Sequence, residues 1–435
     1  MMESRWTPEN RYAWAEVDLG AIRHNVSLLA RMAAPAAFCA VVKANAYGHG
    51  APQVAEAAVS AGAGWLAVAF GEEAVEIREY GVTAPMLLLQ ELPDTMSLGE
   101  IGELVTLHVT PTVYSRGGIE RLGRATAGIG RRVGVHVKMD TGMHRAGAST
   151  IDLPGLFEEL ERYPVLQLTG LWSHLAVADG DSSEDIAFTG HQLNLLTGAA
   201  GGLPEGVMLH LANSAGAIAH PGTRLSMVRC GIAIYGESPS EFVMRALQHY
   251  CRDFAATPAA PATPAAPTPA PATPAAPTPA PAAPTPAPAT PAAPYDAVQG
   301  LVPAMSLKAR IAYVRELDAG ERISYGRHYT LRERSVVATV PLGYADGVSR
   351  RLFAEGGSVL LKGKRMPIAG TVTMDQIMVD CGPDANISIG DEVVIMGGQD
   401  GNRIGASEIA AKLGTISYEV LCSVSARVPR IYLNS

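Results

Sequence analysis

The stretch Phe38-Cys39-Ala40-Val41-Val42-Lys43-Ala44 (38–44) is an unbroken apolar run interrupted by a lysine near its end. A strand that is apolar at every position, and not at every second one, is buried on both faces, as in a parallel sheet covered by helices. Comparable runs flank it: WAEVDL (14–19), WLAVAF (65–70), MLLLQ (86–90), LVTLHVT (104–110), VGVHVKMD (133–140), LQLTGLWSHL (166–175), VMLHLANS (207–214) and MVRCGIAIYG (227–236). Between them, APQVAEAAVSAG (51–62) and AFTGHQLNLLTGA (187–199) carry helical periodicity. Eight or nine such strands in about 220 residues predict an α/β fold with a closed N-terminal (β/α)8, TIM-like barrel over 1–236, the first residues being left free to pair with a second domain. An open nucleotide-binding sheet is rejected. Its only glycine-rich candidate, Gly128-Ile129-Gly130-Arg131-Arg132-Val133-Gly134, has the wrong spacing and precedes a strand.

Residues 301–435 read differently. LKARIAYVRE (307–316), SVVATVPLGYA (335–345), SVLLKG (358–363), MPIAGTVTMDQIMVD (366–380) and DEVVIMGG (391–398) are separated by turn residues such as Asp318-Ala319-Gly320 and Glu355-Gly356-Gly357. That pattern predicts a C-terminal, mostly antiparallel β-domain. Residues 237–300 form a linker or insertion. Within it, 255–294 contains only Ala, Pro and Thr, 40 residues of which 15 are proline. Proline at that density excludes helix and sheet interior, so a fluctuating polyproline II spacer is expected. Ser240–Cys251 places Phe242, Met244, Ala246, Leu247 and Tyr250 on helical spacing and reads as one short amphipathic helix.

Composition narrows the function. Lys and Arg number 34 against 42 Asp and Glu, a net charge of −8, which speaks against a nucleic-acid binder. Apolar residues make up 48 %, yet no run approaches the roughly 18 residues of a membrane span, and the N-terminus has no signal-like apolar segment. Five scattered cysteines without a C-x-x-C pair argue against a disulfide scaffold or structural zinc, and for reduced thiols in the cytoplasm.

Polar residues interrupt the strands where a barrel keeps its chemistry, at their C-terminal ends. Lys43 closes one run, Lys138 lies late in another and is followed by Arg145, His174 and Ser214 end two more, and Arg229 precedes a glycine. Singly, each reads as a surface charge or a satisfied core residue. Together on one rim they supply an amine nucleophile, cations for anionic groups and a titratable imidazole. No acidic cluster there has metal-ligand spacing, and Asp179, Asp181, Glu184 and Asp185 read as a solvated loop.

At this point a resemblance appears. VVKANAYGHG (41–50) resembles the pyridoxal-phosphate attachment signature of the alanine racemases, and the likeness continues through AEVDLGAIRHN (15–25), VHVKMDTGMHRAG (135–147), the His174 strand, NSAG (213–216) and VRCGIAIYG (228–236). In the second domain it includes ISYGRHYT (323–330), PLGYADG (341–347), AGTVTMDQIMVD (369–380) and ISYEVLCSVSARVPRIY (416–432). It covers nearly the whole chain except roughly 237–300.

The resemblance implies a barrel plus β-domain, a homodimer with active sites shared between subunits, pyridoxal 5'-phosphate as cofactor, and two-base interconversion of L- and D-alanine for peptidoglycan. Carried over position by position, Lys43 holds the cofactor and acts as one base; Tyr325, from the partner subunit, is the other. Read without the family, Tyr325 would be an ordinary β-domain core tyrosine. His174 and Arg229 match the chain of groups supporting that phenol, and Arg229 also takes the place against the pyridine nitrogen. Arg145 and Met374 match the substrate-carboxylate residues, and Tyr47, Ser214, Gly231, Ile232 and Tyr418 the phosphate set. Lys138 matches a position carbamylated to N6-carboxylysine in many members, Tyr344 one that narrows the entrance, and Met374 and Asp375 two contributed by the second subunit. A broader-specificity racemase, a barrel-type pyridoxal-phosphate decarboxylase of basic amino acids and a non-enzymatic pyridoxal-phosphate carrier are the alternatives. The decarboxylase would call for an acidic residue where this chain has Arg229. The carrier leaves the β-domain without a purpose.

Overall fold

A computed structural model of the chain describes residues 12–256 and 300–435. Residues 257–294 of the Ala/Pro/Thr tract lie outside the described residues.

WAEVDL (14–19) joins the second domain and not the barrel, a pairing that the sequence had left open for the first residues. Strand β1 (Ala13–Asp18) pairs antiparallel with a strand of the second domain, Met305–Arg310, and parallel with Arg430–Leu433. Its composition is that of a barrel strand, but Asp18 ends it by accepting the Ala21 N–H and so starts the helix Leu19–Ala33, which carries the chain across into the barrel.

The barrel strands are β2 (Ala37–Val41), β3 (Trp65–Val68), β4 (Met86–Leu88), β5 (Val109–Thr110), β6 (Thr112–Val113), β7 (Val133–Lys138), β8 (Leu166–Trp172), β9 (Met208–His210) and β10 (Met227–Cys230). All their pairings are parallel, and the order β5-β4-β3-β2-β10-β9-β8-β7-β6 starts and finishes on two strands separated by Pro111 alone. Proline has no N–H to give the ladder, so one strand is split in two. Its carbonyl still accepts the His136 N–H at 3.0 Å. Counted that way, eight strands close in sequence order.

LVTLHVT (104–110) is corrected in part. Its first three residues end the helix Leu98–Thr106, whose Ser97 and Glu100 form a reciprocal capping box and whose Ile101, Leu104 and Val105 are buried at helical spacing, and only Val109–Thr110 is strand. The β-branched composition suggests strand; the cap and the three-to-four periodicity override it. Likewise only Met227–Cys230 of MVRCGIAIYG is strand, with Ile232–Tyr235 forming a 3-10 turn, and Ser214 opens the short helix Ser214–Ala219.

The helix read over 240–251 runs from Glu241 to Ala256 and buries Val243, Leu247 and Cys251, while its Arg245 meets Asp181 at 3.1 Å. Glu184 and Asp185, read as part of a solvated loop, instead lie in the first turn of the helix Ser183–Ala199, where Asp185 accepts from Ser182 Oγ.

The second domain is a seven-stranded sheet around Met305–Arg310 and Glu392–Gln399, a three-stranded antiparallel sheet and a small hairpin. Buried Asn25 joins the bodies by donating to the Ile234 and Val302 carbonyls and accepting from the Val302 N–H. Helix Ser417–Ser423 brings Tyr418 and Cys422 onto the top of the barrel. Among the described residues no helix is long and apolar enough to cross a membrane.

Candidate active site

Lys43 follows β2 and enters a turn of uncommon handedness. Ala44, Asn45, Ala46 and Tyr47 all have φ of 51–53°. Side chains disfavour this left-handed region by roughly 1–2 kcal/mol per residue, so the surroundings must enforce it. Glu73 Oε1 accepts the Ala44 N–H at 2.6 Å, and Asn45 Oδ1 accepts that of Ala51 at 2.8 Å. Gly48 closes the turn at φ 83°, where a Cβ would lie 2.6 Å from the Leu421 carbonyl. The turn aims Lys43 and Tyr47 into a cavity of about 420 Å3.

That cavity gathers ten of the fourteen residues singled out in the sequence: Lys43, Tyr47, Lys138, Arg145, His174, Ser214, Arg229, Gly231, Ile232 and Tyr418. Lys138 ends β7, Arg229 lies inside β10, and His174 follows β8 by two residues. Lys138 and Arg229 are buried, and both flank the Trp172 ring, at 4.8 and 4.6 Å from its centre. The lining holds four cationic side chains and no carboxylate.

Electrostatics follow from that concentration. Burial, then Arg145, holds the Lys43 amine below the ordinary lysine value, opposed by Glu73 and Cys422. Lys138 is lowered to about 8, by burial first and then by Arg145 and Arg229. Burial and the neighbouring cations, Arg229 foremost, keep His174 neutral, well below its usual value. Arg229 Nη2 reaches His174 Nδ1 at 3.3 Å. Ser214 Oγ lies 3.0 Å from the Gly231 nitrogen, and a Cβ on Gly231 would strike the Tyr47 hydroxyl.

The remaining four residues are elsewhere. Tyr325, Tyr344, Met374 and Asp375 line one open recess of about 600 Å3 in the second domain, and it shares no residue with the Lys43 cavity. Tyr325 is 72 % exposed, in a turn flanked by Ser324 (φ 66°) and Gly326 (φ 75°), so it is not the core tyrosine that the chain read without the family suggests. Thr371 Oγ1 donates to its carbonyl at 2.9 Å. Arg427 pins the rim, meeting Asp375 at 2.8 Å and Asp346 at 3.2 Å.

Residues 17–239 match the alanine racemase N-terminal domain family and residues 304–432 the alanine racemase C-terminal domain family. The chain belongs to the alanine racemase family. Among curated alanine racemases, that of Symbiobacterium thermophilum is 37 % identical, covering 97 % of each chain, and that of Desulforamulus reducens is 38 % identical, covering 97 % of this chain and 98 % of the relative. Among solved structures, the alanine racemase of the D-cycloserine producer Streptomyces lavendulae superposes with a TM-score of 0.79 at 32 % identity, covering 99 % of this chain and 98 % of the other. The Bacillus anthracis enzyme with bound L-Ala-P gives 0.77 at 32 % identity, covering 99 and 97 %.

The cavity would suit a cofactor carrying an aldehyde and an anion: an amine of lowered basicity for the first, and cations, hydroxyls and backbone N–H groups for the second. Sequence reasoning missed Trp172, Asn213 and Cys422 in the lining, and Glu73 behind the turn. Trp172 and Asn213 each stand within two residues of a group that was found, which was the available signal. Cys422 and Glu73 had none.

Proposed function

We propose that the chain is a pyridoxal 5'-phosphate-dependent alanine racemase that interconverts L- and D-alanine by a two-base route. The observation that carries this reading is the carboxylate-free, four-cation cavity with Lys43 at a strand end. When bound, the cofactor supplies an electron sink that acidifies the substrate Cα–H. Lys43 Nζ, held below its ordinary basicity, moves a proton on one face of that carbon. Arg145 binds the substrate carboxylate, joined by Met374 from a second copy of the chain. Tyr47, Ser214, Gly231, Ile232 and Tyr418 hold the phosphate without bulk.

Arg229 donates only, so it cannot take a proton from a pyridine nitrogen and disfavours protonation there. That suppresses transamination and favours racemisation. It also disfavours the decarboxylase alternative. Lys138, lowered to about 8, keeps a substantial neutral amine fraction able to take up carbon dioxide, and the resulting carbamate would orient Arg145.

The second base, Tyr325, stands in a recess separate from Lys43, which motivates a homodimer in which one subunit's recess closes over its partner's cavity. Tyr344 then narrows the entrance and Asp375 lines it. Such a pocket, walled by tyrosines, suits a methyl side chain. The enzyme supplies D-alanine for peptidoglycan and works in the cytoplasm, where its five free thiols stay reduced. In deuterated water the yellow protein should exchange the Cα hydrogen of either alanine enantiomer. Failure with alanine, alongside turnover of larger amino acids, would overturn the substrate assignment.

A further inference from the structure

Arg229 is a buried cation without a carboxylate partner among the described residues: its hydrogen bonds go to the Ser173 and Leu211 carbonyls and to two imidazoles, His174 and His210. The His210 contact continues. Arg229 Nη1 lies 2.8 Å from His210 Nδ1, and His210 Nε2 lies 3.0 Å from His136 Nδ1. Both rings are fully buried, and His136 Nε2 has no hydrogen-bond partner.

The direction of this chain follows from one fact. A guanidinium can only donate, so His210 Nδ1 must accept and its proton sits on Nε2. His210 Nε2–H therefore donates to His136 Nδ1, which leaves the His136 proton on Nε2, where no acceptor stands. A protonated ring anywhere in the chain would place a second buried cation against Arg229. The surroundings are built for this arrangement. The His210 ring stacks on Trp172 at 10° between planes, and Gly170 beside His136 makes the room, since a Cβ there would lie 2.7 Å from the imidazole.

We propose that His136 is a positioning residue: by accepting from His210 it fixes the tautomer that seats Arg229, and so helps set reaction specificity from two hydrogen bonds away. The tautomer stands independently of the activity. The effect on specificity rests on the reading of Arg229 given above.

Neutron diffraction of the deuterium-exchanged holoenzyme tests the tautomer directly. Deuterium on Nε2 of both His210 and His136, and on neither Nδ1, is expected; deuterium on His210 Nδ1, or on both nitrogens of either ring, overturns the proposal. The variants test the consequence. Asn at 136 offers an amide oxygen near the position of Nδ1, and Phe offers none. His136→Phe should raise cofactor transamination events per racemisation by up to about tenfold, the upper worth of one hydrogen bond between neutral groups, and His136→Asn should restore the parent ratio. An unchanged ratio in His136→Phe, or an equal rise in both variants, contradicts the positioning role. If Arg229→Lys also leaves the ratio unchanged, the role assigned to Arg229 is what fails. Should His136→Phe not fold, the diffraction result and the His136→Asn ratio still decide.

Discussion

The Lys43 cavity and the Tyr325 recess are made of opposite materials. The first is assembled from strand ends around a closed sheet and lined by residues as buried as Lys138 and Arg229, at 5 and 3 % exposure. The second is made of turns, with Tyr325 at 72 % and Met374 at 52 % exposure. One has cations, an amine and space for a cofactor. The other has phenols and nothing to acidify a carbon. On the proposed reading each region is half of a site, and the exposed half is the one a second copy of the chain would cover.

Removing the cavity's amine should have the largest effect. Lys43→Ala is expected to lose the yellow cofactor band and at least roughly 10^4-fold in exchange from both enantiomers. Retained colour with near-parent exchange would remove Lys43 from both roles. Tyr325→Phe should keep the colour and lose roughly 10^2- to 10^4-fold, with deuterium entering from one enantiomer far more slowly than from the other. Equal, undiminished rates from both would place the second base elsewhere. Arg229→Lys keeps the charge and loses the two-pronged geometry. It should cost about tenfold in racemisation and increase conversion of the cofactor to its amine form, read from absorbance.

The smallest effect concerns stability. The folded Lys138 amine is lowered to about 8 from an ordinary value of 10.5. Below about 8 it is protonated in both the folded and unfolded states, and the folded state bears the full unfavourable burial of charge. As pH rises from about 8 to 10.5 the unfolded chain binds more protons, so stability increases through that window. Cofactor-free Lys138→Gln in carbon-dioxide-free buffer should thus melt a few degrees above the parent at neutral pH, the gap closing as pH climbs. A constant gap would show that charge is not its cause.

Legibility in the sequence divides along the same line. The barrel could be read because its strands are apolar throughout and end on polar residues, as Val41-Val42-Lys43 does. WAEVDL was left open between the two domains because a strand's composition does not say which sheet it joins, and it joins the second. LVTLHVT held only at its end, Val109–Thr110, because the cap that makes its start helical, Ser97, lies outside the run. Cavity residues stood out as polar breaks in apolar runs. Tyr325, Met374 and Asp375 had no such contrast and were found only through the family resemblance. His136 and His210 sit within strands as ordinary core positions, and only the paired distances reveal the chain they form.

The central claim is that Lys43 and Tyr325 act on one carbon from different subunits. Mixing the inactive Lys43→Ala and Tyr325→Phe proteins, then unfolding and refolding them together, tests it most directly. Each mixed dimer would hold one site with both defects and one with neither. With half the dimers mixed, the account expects about one quarter of parental activity to return. A mixture as inactive as its components, with mixed dimers shown to form, would contradict it.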